Sequence, residues 1–138
     1  EKILDVGSGS GWTTAILAEI AGNKGKIFSL EIIPELKDFG EKNVSKYNFI
    51  KKGAALFIKG DGRQGLPEFA PFDKVLVSAA ASRIPEKLLE QLKIGGRLVI
   101  PIGENYQTQE IVLIDKIGEN KYKEKRFPGF VFVPLVDK

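Results

Sequence analysis

Short apolar runs alternate with longer mixed stretches over about the first hundred residues of this chain. Ile3–Val6 reads as a first strand, and Trp12–Ala21 as a helix closed by Gly22 just past its end. A turn at Gly22-Asn23-Lys24-Gly25 leads into a second strand, Lys26–Leu30. Pro34, with φ already set for a helix, suits the first position of a helix running to about Tyr47. Ala55–Lys59 is a third strand, ending in Gly60-Asp61-Gly62, and Lys74–Ser78 a fourth, apolar enough for burial on both faces. Pro85–Leu92 predicts a short helix stopped by Gly95-Gly96, followed by a fifth strand, Arg97–Ile102. This alternation predicts an α/β fold: a mostly parallel sheet with helices on both faces and a ligand crevice at the carboxyl ends of the strands.

The last third breaks the rhythm. Only Gly103–Gln109 separates the fifth strand from the next β-like run, Glu110–Ile117, too few residues for a helical crossover and enough for an antiparallel hairpin. A final strand, Phe130–Val136, is expected after polar turns at Gly118–Asn120 and Pro128-Gly129. Gly62–Phe72 is too short for a full helix, so one sheet face should be thinly covered. There is no internal repeat and no low-complexity tract, and residues 1–138 read as a single domain.

Composition narrows the chemistry. The chain is 43% hydrophobic and 28% charged, as in globular domains. No apolar run approaches the roughly 20 residues needed to span a bilayer, and no secretory pattern opens the chain, so no membrane partner is expected and the cytoplasm is the expected location. There is no cysteine and no histidine. That excludes disulfides, a thiolate nucleophile and the commonest base and metal ligands; no metal site and no general base are expected. The net charge is only +3. Lys116, Lys121, Lys123, Lys125 and Arg126 cluster near the C-terminal end, but without the aromatic interleaving of a nucleic-acid motif; a solvated hairpin is the expectation and no nucleic-acid partner.

The richest chemistry lies where the first strand ends, in Asp5-Val6-Gly7-Ser8-Gly9-Ser10-Gly11. Gly7 and Gly9 permit φ > 0 and let a ligand approach the backbone, while Gly11 lets the next helix pack closely. The unpaired N–H groups of that helix face the loop. The third glycine comes one residue too early for a dinucleotide fingerprint, and Asp5 suits a cationic or amino-bearing ligand better than a pyrophosphate. A tightened strand-to-helix corner is the bland alternative.

Three further places extend this site. Glu31 ends the second strand, where a carboxylate can accept both ribose hydroxyls of a nucleoside; otherwise it is a solvated acid before Pro34. Asp61 in Gly60-Asp61-Gly62 could accept from an exocyclic adenine amine, although Gly-Asp-Gly is also an ordinary turn. The fourth strand ends in Ser78-Ala79-Ala80-Ala81-Ser82, small residues that leave room for a substrate, or that form a close-packed corner. The Asn/Asp-Pro-Pro-aromatic run of adenine and glutamine amide methyltransferases is absent there.

The blocks Asp5–Trp12, Gly60-Asp61-Gly62, Phe72–Ala81, Ile84-Pro85-Glu86, Leu89–Gly103 and Phe132–Val136, in this order, resemble the protein-L-isoaspartate O-methyltransferase family, within the class I S-adenosylmethionine-dependent methyltransferases. The similarity runs from end to end. It implies a Rossmann-like class I methyltransferase fold with an altered, antiparallel end to the sheet. It implies methyl transfer from S-adenosylmethionine, giving S-adenosylhomocysteine, to the free α-carboxylate of isoaspartyl residues in damaged proteins or peptides. An ionised carboxylate needs no base to attack a sulfonium methyl, so positioning and water exclusion can supply the catalysis. The residues expected around the cofactor are Asp5, Gly7, Ser8, Gly9, Glu31, Ile32, Gly60, Asp61, Gly62 and Ser78; Ala79, Ala80 and Val133 are expected near the substrate, with plain strand packing as the alternative for Val133.

Family members carry a helical region before the first strand, including a serine-containing substrate loop over the cofactor. This chain opens directly in that strand at Glu1. It is expected to be a fragment or a shortened form, a monomer, with weak or no turnover unless the covering segment is supplied. The competing readings are a class I methyltransferase for a small molecule or RNA, and an inactive S-adenosylmethionine-binding fragment.

Overall fold

Each apolar run of the first hundred or so residues becomes a strand of one sheet. In the computed structural model, which describes residues 1–136 and leaves the last two of the expected 1–138 domain outside the described residues, the strands are β1 (Lys2–Val6), β2 (Lys26–Glu31), β3 (Ala55–Lys59), β4 (Phe72–Val77), β5 (Leu92–Ile102), β6 (Gln109–Gly118) and β7 (Lys121–Phe130). Helices α1 (Trp12–Ala21), α2 (Pro34–Ser45) and α3 (Glu86–Glu90) and a 3-10 turn at Pro67–Phe69 lie in the connections. The strand order is β3-β2-β1-β4-β5-β6-β7, parallel through β5 and antiparallel for β6 and β7. Strand order reverses beside β1, between the crossovers to β2 and β4, which is where such sheets open a ligand crevice.

The register sorts the core. Leu4 stands opposite Phe28 and Val75, Val75 opposite Leu98, and Leu98 opposite Ile114. With Leu66, Phe72 and Leu88 this row forms the larger hydrophobic cluster. On the other face Ile3 and Ile27 pack with Ala18 of α1, and Ala55 and Phe57 with Val44 of α2. β1 therefore buries both faces, as a central parallel strand should.

The thinly covered region is not where the sequence placed it. The short 62–72 segment brings Leu66 and Phe69 onto the larger core. Cover is missing instead on the helix side beyond β1, because α1 and α2 pack over β1, β2 and β3. Leu76, Val99 and Leu113, aligned across β4, β5 and β6, stay half-buried there. For the same reason β4 is not buried on both faces: only Phe72, Val75 and Val77 are.

Two other expectations are corrected. Gly95-Gly96 does not stop a helix; β5 already begins at Leu92, and the glycines absorb a register shift against β4. Gly95 takes φ +85°, and a Cβ on Gly96 would lie 2.8 Å from the Lys93 carbonyl oxygen. The last strand is Lys121–Phe130 rather than Phe130–Val136. Among the described residues it is an exposed edge paired only to β6, so tertiary burial never selected an apolar pattern for it. Residues 131–136 instead run irregularly over the carboxyl end of β4, bridged through Pro134 to Ala80.

The basic cluster also divides. Lys121, Lys123 and Lys125 are exposed on the hairpin, but Arg126 pairs with Glu110 and Glu124. Lys116 turns inward and donates to the carbonyls of Leu89 (3.1 Å) and Leu92 (2.9 Å), closing the end of α3. Among the described residues, no helix is long and apolar enough to cross a membrane.

Candidate functional site

The chain leaves β1 through the glycine loop with φ of +76°, +47° and +81° at Gly7, Gly9 and Gly11, a region costly for residues with a Cβ. Their surroundings separate their roles. A Cβ on Gly11 would lie 2.7 Å from the Gly40 carbonyl oxygen and 2.7 Å from Val44 Cγ2, so Gly11 serves contact with α2. A Cβ on Gly9 would meet nothing within 4 Å. Gly40 is the other half of the Gly11 contact: its Cβ would lie 2.6 Å from the Gly9 carbonyl oxygen. Sequence reasoning missed it, although a glycine within a helix, at a cost of about 1 kcal/mol relative to alanine, was the available signal.

Glu31, 6% exposed, is bound by main-chain donors on both oxygens. Its Oε2 accepts from Gly9 N–H (2.9 Å), its Oε1 from the N–H groups of Ile32 (3.0 Å) and Ile33 (3.1 Å). A carboxylate has roughly four acceptor positions, so one remains for a ligand hydroxyl. The loop is tied to β2 a second time by Gly7 N–H and the Leu30 carbonyl (2.8 Å).

Asp5 lies beneath the loop, fully buried. Its Oδ2 accepts from the Thr14 hydroxyl (2.6 Å), which also contacts the Ser29 hydroxyl (3.0 Å). Its Oδ1 and the buried Ser8 Oγ have no hydrogen-bond partner among the described residues. Burial pushes the Asp5 carboxyl up to about 6, against the opposing Thr14 hydrogen bond and with help from the nearby Glu31 charge.

A crevice of about 360 Å³ opens over the carboxyl ends of β1, β2 and β4. Of the expected residues it is lined by Gly7, Gly9, Glu31, Ile32, Gly62, Ser78, Ala79 and Val133. Asp5, Ser8, Gly60, Asp61 and Ala80 are not in its walls. Asp5 and Ser8 support the loop from within. Gly60 packs over Leu30, and Asp61 closes a turn, its Oδ1 accepting from Arg63 N–H (2.9 Å). Ala80 spends its backbone on the wall itself, donating to the Val133 carbonyl and accepting from Leu135 N–H, both at 2.7 Å. Sequence reading missed Ile33, Leu36 and Leu135, which are part of the apolar lining. As isolated apolar residues they carry no signal that separates a ligand wall from core.

The two ends of the crevice differ in chemistry. Beneath the loop there are fixed acceptors and main-chain donors; near Ala79, Val133 and Leu135 the walls are small or aliphatic. Among the described residues, none that lines that second end carries a titratable side chain. Among the described residues, no cluster of acidic side chains could hold a metal ion.

An open sheet of this order with an antiparallel end, a glycine loop closing β1 and an acid closing β2 define the class I methyltransferase fold. A solved S-adenosylmethionine-dependent O-methyltransferase from Thermotoga maritima, 27% identical, superposes with a TM-score of 0.64 over 75% of this chain and 38% of its own. The family model described as Protein-L-isoaspartate(D-aspartate) O-methyltransferase matches residues 1–138, and the chain belongs to that family. Protein-L-isoaspartate O-methyltransferase of Methanopyrus kandleri is 42% identical over 138 residues, covering 98% of this chain and 58% of the relative. Protein-L-isoaspartate O-methyltransferase 2 of Arabidopsis thaliana is 44% identical over 140 residues, covering 99% and 45% respectively. A family structure from Plasmodium falciparum in complex with S-adenosyl-L-homocysteine superposes with a TM-score of 0.83 at 31% identity, over 99% of this chain and 66% of that one. The chain spans about half the length of these two curated relatives.

Proposed function

We propose that this chain binds S-adenosylmethionine and serves transfer of its methyl group to the free α-carboxylate of L-isoaspartyl residues in damaged proteins. The observation that carries the reading is the meeting, in one crevice, of a glycine loop pinned by Glu31 and a small-residue wall at Ala79 and Val133. Family membership supports the same chemistry.

The residues present fit the cofactor. The crevice volume falls in the range of small-molecule sites, about 300 to 1,000 Å³. Glu31 has acceptor capacity left for ribose, Gly9 leaves open space where a Cβ would meet nothing within 4 Å, and Gly7, Gly62 and Ser78 line the same crevice. Asp5 and Ser8 back the loop, and Gly60 and Asp61 follow the end of β3, Asp61 in its turn with Arg63. When bound, the cofactor supplies a sulfonium methyl that passes to a carboxylate oxygen as the C–S bond breaks, leaving S-adenosylhomocysteine.

The chain's own work is positioning. A carboxylate is ionised at neutral pH, so no residue has to take its proton. Aliphatic walls at Ala79, Val133 and Leu135 strip water from the acceptor and strengthen its attraction to a cationic donor. In this reading residues 1–138 act as one cofactor-binding domain of a cytoplasmic monomer, with isoaspartyl polypeptides and not nucleic acid as partners. The pairing of Arg126 with acids and the inward turn of Lys116 support the last point.

The test is transfer of radiolabelled methyl to an isoaspartyl peptide, the matched aspartyl peptide and RNA, with calorimetric S-adenosylmethionine binding alongside. Label on the isoaspartyl peptide alone is expected. Equal labelling of both peptides, or label on RNA, overturns the substrate assignment; binding without any transfer makes this stretch a cofactor-binding unit only.

A further inference from the structure

Past Gly62 and Ala79 the chain borders a second cleft, of about 650 Å³, whose walls are charged where those of the crevice are aliphatic. Arg63 and Gln64 stand on one side, Ser82, Arg83 and Lys87 on the other, with Glu86 the acid among its lining residues. The two cavities share a wall. Gly62 lines one and Arg63 the other; Ala79 lines one and Ala81 the other.

That wall is well fixed. Arg63 Nη2 donates to the Leu135 carbonyl (2.9 Å), and Leu135 N–H donates to Ala80. Ala81 N–H donates to the Pro101 carbonyl (3.0 Å), and its own carbonyl accepts from Gly103 N–H (3.0 Å). The cations beyond the wall are loosely engaged. Arg83 is exposed and makes no ion pair among the described residues. Lys87 reaches Glu90 at 3.3 Å, with both side chains more than half exposed. Charges on an open surface are ordinary, but like charges lining a concavity focus their field on whatever enters it.

The geometry points to a subsite for the polypeptide that carries the methyl-accepting carboxylate: the cleft takes an acidic side chain, Asp or Glu, flanking the isoaspartyl residue, with Arg83 and Lys87 as its cations. This rests on the isoaspartyl reading of the crevice. Ala79 to Ser82 is three residue steps, at most about 11 Å, so the acid falls within about three residues of the reacting one. The aliphatic crevice then selects the reacting residue, and the basic cleft selects its sequence context.

The experiment measures peptide affinity by fluorescence anisotropy in the presence of S-adenosylhomocysteine. Isoaspartyl peptides carry Glu or Gln at each of three flanking positions on either side, with matched aspartyl peptides beside them. One Glu position is expected to bind about 3-fold to 10-fold tighter than Gln at low ionic strength, as exposed ion pairs allow. In Arg83→Gln/Lys87→Gln the advantage should drop below about 2-fold, as it should at high salt, while Gln-flanked peptides are unaffected. Equal affinities for Glu and Gln peptides, including no binding of either, overturn the proposal, as does an advantage that survives the double substitution. Preference for isoaspartyl over aspartyl is read separately. Its loss with the Arg83-dependent Glu advantage retained removes the isoaspartyl reading and leaves the acidic subsite standing.

Discussion

Under the glycine loop, side chains bind backbone; at the aliphatic end of the same crevice, backbone binds backbone and the side chains are left small or free. Glu31 spends three acceptor positions on the N–H groups of Gly9, Ile32 and Ile33, and Asp5 lies buried below with Thr14. Across the crevice, Ala80 is clamped through its own N–H and carbonyl to Val133 and Leu135, while Val133 is 68% exposed. The first arrangement makes ligand recognition and loop shape inseparable. The second holds a wall in place and leaves its side chains replaceable.

The sharpest way to break this comparison is at Gly11. Gly11→Ala combines positive φ with a Cβ 2.7 Å from backbone of α2, and is expected to lower stability by about 2 to 4 kcal/mol in urea unfolding. Gly9→Ala, whose Cβ meets nothing, should cost only about 1 to 2 kcal/mol and act chiefly on cofactor affinity. Equal losses at the two positions would remove the distinction between packing glycine and ligand glycine.

Asp5 gives a pH-dependent test of comparable size. Its carboxyl is raised from 3.8 to about 6 in the folded chain, so between those values the native state holds a proton that the unfolded state has released. Stability relative to Asp5→Asn is therefore greatest below about pH 4, falls as pH rises to about 6, and has lost about 3 kcal/mol above that. Thermal unfolding of both proteins from pH 4 to pH 7 checks it; parallel profiles would mean the buried carboxyl carries no such penalty.

At Glu31 the effect moves from stability to binding. Glu31→Ala is expected to weaken S-adenosylmethionine binding by about 10-fold to 100-fold, corresponding to the roughly 1.5 to 3 kcal/mol of charge-assisted hydrogen bonds. Unchanged affinity by calorimetry would take Glu31 out of the site. The smallest effect is at the other end. Val133→Ala should leave stability within about 0.5 kcal/mol and alter only the KM for isoaspartyl peptide; a large loss of stability would show that this wall is core after all.

Much of this was legible before the fold was seen. Asp5 to Gly11 was legible as a strand-to-helix loop because closely spaced glycines follow an apolar strand, and Glu31 and Ala79 stood out by their positions at strand ends; Gly7, Gly9, Glu31 and Ala79 do line one crevice. The five parallel strands were legible because burial imposes an apolar signature on them. β7 was not, since an exposed edge strand rich in Lys has no such signature. Residues 131–136 read as the strand instead, because Val, Phe and Leu satisfy β-propensity wherever they stand.

Local chemistry in the sequence determined which residues could serve a nucleoside, since glycine conformation and carboxylate charge travel with the residue. Only the tertiary structure decided which of them face the crevice. Asp5 and Glu31 are both acids at strand ends in the linear pattern, yet strand alternation turns Asp5 under α1 to Thr14 and leaves Glu31 at the crevice wall. Gly11 and Gly9, two residues apart, part in the same way, one against α2 and one against open space. The physical reason is that direction and burial belong to the packed sheet and helices, and no residue carries them alone.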